Sequence, residues 1–143
     1  MKSVFFVAIS LCLFLACSNS KKITSGSNSY KLQGTWQLNY ITGPRISFEG
    51  LYPNEKPTIT FDVARKRISG NTSCNSFSGP FDTDGAKISF SEPLATTKMA
   101  CPGEGESVFM QTLKKINTYD VTEGYTLSLI SDGVASMRFT KVK

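Results

Sequence analysis

ISGNTSCNSFSGPF, residues 68–81, sets Ile68, Phe77 and Phe81 in a run of Gly, Ser, Thr and Asn, with Cys74 at its centre. Its second half, SFSGPF, is followed by the turn DTDG and then by KISF, the pattern of a β-hairpin. Upstream, PTITFDV places Ile59, Phe61 and Val63 on one face, and Arg65-Lys66 turn the chain into RISG. TWQLNYI puts Trp36, Leu38 and Tyr40 together by the same period of two. Downstream come YDV, YTLSLI, the turn SDG and VASMRFT, with Leu127 and Leu129 about Ser128 and Met137 and Phe139 about Arg138.

Between residues 102 and 119 the period changes. Val108, Phe109, Leu113, Ile116 and Tyr119 form one helical stripe, preceded by Glu104 and Glu106 and closed by Lys114-Lys115, which suits the helix dipole. The expected fold is mainly β: seven or eight short strands in a curled antiparallel sheet or partial barrel, with one helix against it. Curling limits the number of exposed strand edges.

The N-terminal segment is of another kind. After Lys2 an apolar run extends to Ala16, too short for an ordinary transmembrane helix, and ends at Cys17. Phe14-Leu15-Ala16-Cys17 resembles the lipobox of bacterial lipoproteins, with Phe14 where Leu is usual; the other reading is an ordinary secretory signal with an incidental cysteine. The expected organisation is a lipoprotein signal peptide over residues 1–16, a lipidated flexible tether over 17–30 starting at Cys17, and one folded domain over 31–143. The tether is polar and rich in Ser and Asn, with nothing to bury. Several acyl chains on one cysteine would anchor firmly, at about 0.8 kcal/mol per buried methylene. Ser18 after Cys17, rather than Asp, favours the outer membrane facing the periplasm.

Much chemistry is excluded. The 143 residues contain no histidine, which removes the commonest general base and metal ligand. Two cysteines without histidine do not complete a tetrahedral zinc site unless carboxylates supply the rest. The glycines form no phosphate loop, and Asp82 and Asp84 read as a solvated hairpin turn. The basic residues are dispersed, in Lys21-Lys22, Arg65-Lys66-Arg67 and Lys114-Lys115, whereas a nucleic-acid surface needs a longer stripe with interleaved aromatics. No catalytic residue, cofactor, metal or nucleic-acid partner is expected.

Cys12 leaves with the signal peptide and Cys17 takes lipid, so Cys74 and Cys101 remain as an even pair in an oxidising compartment. A disulfide is the economical reading against two free thiols. It closes a loop of about 28 residues, for which the chain-entropy estimate is roughly 3.5 kcal/mol. It would pin the start of the helix to the hairpin.

The stretches LQGTWQL, PTITFD with ISGNTSCNSFSGPF, LATTKMACP and LKKINTYDV, spanning residues 32 to 142, together resemble the META domain (HslJ-like) family. Gly70, Cys74, Asn75, Phe77 and Gly79 match its motif G-x-x-x-C-N-x-F-x-G, and Thr97, Met99, Ala100 and Cys101 match T-x-M-A-C. The resemblance implies a curled, mostly antiparallel sheet with one helix, in a heat-shock-associated or stress-linked envelope lipoprotein without a defined biochemical activity. Within the motif, Asn75 is short enough to bond its own turn, Phe77 is placed as a core anchor, and Gly70 and Gly79 mark tight backbone.

Two functional readings remain open. One is a non-enzymatic module that binds an envelope protein, with Ile46, Phe48, Leu51 and Tyr52 of the segment 42–57 either forming the partner surface or covering one end of the barrel. The other is a binder of lipid or another small apolar ligand within the curled sheet. Trp36, Phe61, Phe77, Phe81, Phe90, Phe109, Tyr119 and Phe139 are enough to fill that interior instead.

Overall fold

The computed structural model describes residues 28–43 and 45–143. The expected signal peptide, Cys17 and the expected tether up to residue 27 lie outside the described residues. Residues 28–30, assigned above to the tether, belong to a 3-10 helix, Asn28–Leu32, whose Leu32 is fully buried.

Nine strands follow: β1 (Gly34–Ile41), β2 (Thr58–Asp62), β3 (Arg67–Asn71), β4 (Ser76–Asp84), β5 (Lys87–Phe90), β6 (Ala95–Thr96), β7 (Thr118–Thr122), β8 (Thr126–Ser131) and β9 (Val134–Lys141). Two α-helices interrupt them, α1 (Phe48–Leu51) and α2 (Gly105–Lys114). The sheet order is β3-β2-β1-β9-β8-β7-β5-β4, and β4 pairs back onto β3, so eight antiparallel strands close a barrel. Strand β6 stands outside that ring, paired to β4 through Phe77↔Thr96 and Ser78↔Ala95. Closure leaves no edge in the ring, although the β5–β7 seam has a single register pair, Lys87↔Thr118.

Inward alternation fills the barrel. Trp36, Leu38, Ile59, Phe61, Leu127, Leu129, Met137 and Phe139 are fully buried. Phe61 meets Phe81 edge-on at 5.1 Å between ring centroids. Of the aromatics expected inside, only Phe90 stays half-buried, packed on the edge of the core. Tyr40 departs from the expected face. The β1–β9 register shifts between Leu38 and Tyr40, and this bulge turns Tyr40 outward, under the Arg138 guanidinium at 5.2 Å, and puts Ile41 inside.

Helix α2 is shorter than its apolar stripe. Phe109 and Leu113 are buried, and the Phe109 ring packs at a tilt against Phe77, 5.5 Å between centroids, which seats the helix on the barrel. Lys115 and Ile116 donate to the carbonyls of Thr112 and Leu113, tightening the last turn. Tyr119 lies on β7, where its amide donates to Ala86. A spacing of three from Ile116 to Tyr119 fits a helix, but cross-strand bonds claim this backbone first: Asn117 N–H already donates to Ile130.

The segment 42–57 covers one end of the barrel. Ser47 caps α1 by accepting from the Gly50 amide at 3.1 Å. Leu51 and Tyr52 are buried, Phe48 packs edge-on against Tyr52 at 5.2 Å, and the Tyr52 hydroxyl donates to the Gly105 carbonyl at 3.0 Å. Of the apolar residues proposed as a partner surface, Ile46 alone is strongly exposed. Leu51→Ser is therefore expected to cost about 2–4 kcal/mol, a fall in Tm of roughly 10 °C, whereas Ile46→Ser should leave Tm within a degree or two; thermal unfolding followed by circular dichroism separates the two.

Burial pushes the Tyr52 phenol up to about 12. A phenol that holds its proton more tightly when folded stabilises the fold fully below its unfolded value near 10, and that stability is lost as pH rises through about 12. Wild-type Tm should drop more steeply than that of Tyr52→Phe across this alkaline window, as read from paired pH–Tm profiles.

Candidate functional site: the two motifs form one lock

Residues 72–75 connect β3 to β4. Asn71 Oδ1 accepts from the Ser73 amide, and Thr72 exchanges bonds with Asn75 through its amide and hydroxyl. Asn71 and Thr72 thus hold this turn, with Ser73 at a φ of 78°. Asn75 does not bond its own turn through its side chain, as the sequence suggested. Its amide is buried and turned toward the second motif.

There it acts as a short artificial strand. Oδ1 accepts from the Met99 amide at 2.8 Å and from the Thr97 hydroxyl at 2.7 Å. Nδ2 donates to the Met99 carbonyl at 3.1 Å and to Glu106 Oε2 at 2.8 Å, and lies 3.0 Å from Cys101 Sγ. One side chain therefore reads both backbone groups of Met99 and reaches the first turn of α2. Thr97 completes the clasp, its hydroxyl accepting from the Ser76 amide and its own amide donating to the Ser76 carbonyl.

A disulfide joins Cys74 to Cys101 beside this clasp, with Cα atoms 5.9 Å apart across 27 residues. Glu106 Oε2 lies 2.8 Å from Cys101 Sγ; a disulfide sulfur carries no proton, so this is a contact and not a hydrogen bond. Glu106, read from sequence only as a complement to the helix dipole, is the residue the motif analysis missed.

The motif glycines are places where backbone meets a neighbour. A Cβ on Gly70 would sit 2.0 Å from the Thr58 carbonyl oxygen, and one on Gly79 would sit 2.3 Å from Leu94 Cδ2. Phe77 is a core anchor, as expected. Met99 enters the lock through its backbone, and the residue as a whole is 61% exposed. Ala100 is exposed and nothing in the geometry requires it.

The other candidate groups are occupied by each other. Lys66 reaches Asp82 at 2.8 Å and Arg65 reaches Asp62 at 2.7 Å. Hydrogen bonds from these partners hold both carboxyls below the usual carboxylate range, but exposed pairs of this kind add little stability. Asp82 is thus engaged by a cation already in the chain.

A closed eight-stranded antiparallel barrel, capped by one helix and stapled by a disulfide-linked pair of motifs, is the class of protein these residues define. The META domain model matches residues 30–143, and the chain belongs to that family. Its fold is similar to that in an NMR structure of a protein from Burkholderia xenovorans (TM-score 0.61, 22% identity, 80% of this chain and 86% of that one). It is also similar to that in a crystal structure of a DUF4847 family protein from Bacteroides vulgatus (TM-score 0.56, 16% identity, 80% of this chain and 96% of that one). No curated protein matches the chain.

Proposed function

We propose that this META domain is the folded part of a lipid-anchored envelope lipoprotein with a non-enzymatic, stress-related interaction role. The observation that carries the reading is the direction of the motif chemistry: Asn75, Thr97 and the Cys74–Cys101 bridge satisfy one another. This buried polar cluster is thus spent on holding the fold together. Recognition is left to the outer surface, where Ile46, Met99 and Val134 are exposed apolar side chains.

The anchor rests on the lipobox-like run ending at Cys17, and the bridge suits an exported, oxidising setting. No described helix is long and apolar enough to cross a membrane. The outer membrane facing the periplasm is favoured by Ser18, and the association with heat shock and stress comes from the resemblance of the motifs to the HslJ-like family. The partner is an envelope protein. The alternative, an apolar ligand within the sheet, has less support because side chains fill the barrel.

Radiolabelled palmitate tests the anchor. Wild-type chain should take up label and sediment with membranes, whereas Cys17→Ser should take up none and become soluble in the periplasm. Label retained by Cys17→Ser, or wild-type chain free of label, would overturn it. Photo-cross-linkers at Ile46, Met99 and Val134 test the partner in cells, with a discrete protein adduct expected at one of them and none from a linker at buried Leu129.

A further inference from the structure

We propose that the reduced form of the Cys74–Cys101 pair, together with Glu106, is a binding site for a thiophilic divalent cation of the zinc or cadmium type. The sulfur of each cysteine and a carboxylate oxygen of Glu106 all lie within 4.8 Å of one another, and all three residues are half-buried. Three donors at this spacing are what a tetrahedral site with one open position needs. Sulfur–sulfur separation in such a site is about 3.8 Å for metal–sulfur bonds near 2.3 Å, so opening the bridge requires a side-chain rotation and no shift of the strands.

The placement of Glu106 is the second observation. In the bridged form its Oε2 rests 2.8 Å from a sulfur that offers it no proton, while Asn75 Nδ2 fixes the same oxygen at 2.8 Å. The bridge by itself does not need that carboxylate. A cation between the oxygen and two thiolates does, and Asn75 then becomes the outer partner that aims the ligand. The site also has an approach: Cys101 and Glu106 line an open groove of about 320 Å³ with Gly103, Ser107 and Met110. Water from the groove fills the fourth position.

Two thiolates and one carboxylate select a soft or borderline cation over calcium or magnesium. Opening the site takes a dithiol reductant. It delivers two electrons and two protons to the bridge, giving two thiols and leaving as a cyclic disulfide. The cation then displaces both thiol protons. The fold thus carries two exclusive states of one staple, a covalent bridge or a metal clip, chosen by the redox setting.

Cadmium chloride titrated into purified protein, reduced with a phosphine and freed of it, tests this. A thiolate-to-metal charge-transfer band should saturate at one cation per chain, be absent from unreduced protein, and need at least tenfold more cadmium in Glu106→Gln. No band, saturation at half a cation per chain, or unchanged affinity in Glu106→Gln would each overturn the proposal. If reduction alone loosens the fold, one equivalent of cadmium should restore the near-ultraviolet circular dichroism of the bridged protein, and failure to restore it would count against the site equally.

Discussion

Gly70→Ala is expected to abolish a normal folding transition or to lower Tm by more than 10 °C, a cost of about 3 kcal/mol or more. Gly70 pairs with Ile59 on one side and with Phe77 on the other, so β3 is held in register from both edges at this residue. The added methyl group would lie 2.0 Å from the Thr58 carbonyl oxygen and 3.0 Å from Phe77 Cε1. Rotating a side chain does not relieve contact with a backbone oxygen. Either β2 moves away from β3, which loosens barrel closure, or Phe77 moves off Phe109, which unseats α2. Ser69→Ala, on the exposed face of the same strand, is the control, expected within about 0.5 kcal/mol of wild type.

Asn75→Ala should cost about 3 kcal/mol. The variant loses two acceptances by Oδ1 and the Nδ2 contacts to the Met99 carbonyl, the Glu106 carboxylate and the Cys101 sulfur, each bond worth about 1 kcal/mol for neutral partners and more for the one to the carboxylate. Water reaches Met99 and Thr97, whose residues are exposed, and so limits the loss. The disulfide keeps the two segments together, which makes the loss a local loosening before it is a global one. Combining Asn75→Ala with reduction should therefore destabilise by more than the sum of the two changes, because each holds what the other releases. Denaturant melts of the four species in this cycle check it, and strict additivity would show the amide and the bridge to be independent.

The sequence made the strands legible where alternation was uninterrupted, as in Ile59-Phe61, Leu127-Leu129 and Met137-Phe139. It misplaced Tyr40 because a β-bulge consumes one residue without leaving a compositional trace. Tyr119 was drawn into the helix because a spacing of three is shared by a helical stripe and a helix-to-strand junction. Barrel closure was harder still: the seam rests on Lys87↔Thr118, a pairing between residues far apart in the chain with no pattern of their own. The segment 42–57 was ambiguous for a related reason. Leu51 and Tyr52 look alike whether they face a partner or their own barrel, and only contact with Gly105 decides it.

The two motifs were visible as signatures, and the cysteine pairing was readable because the folded domain holds just two cysteines, Cys74 and Cys101. The role of Asn75 was not. A short polar side chain next to a turn has local partners in most chains, and here Asn71 and Thr72 take them, which leaves Asn75 free to reach across. Glu106 was hidden behind an adequate explanation, since an acidic residue in the first turn of a helix has a reason to be there already.

Hydrogen exchange at the Met99 amide tests the lock most directly. Residues 95–100 are exposed throughout, and Lys98 and Ala100 have no amide partner among the described residues. Met99 donates to a buried side-chain oxygen. If Asn75 joins the motifs as described, Met99 should exchange at least a hundredfold more slowly than Lys98 and Ala100, and lose that protection in Asn75→Ala. A Met99 amide that exchanges as fast as its two neighbours in the wild-type protein would contradict the account.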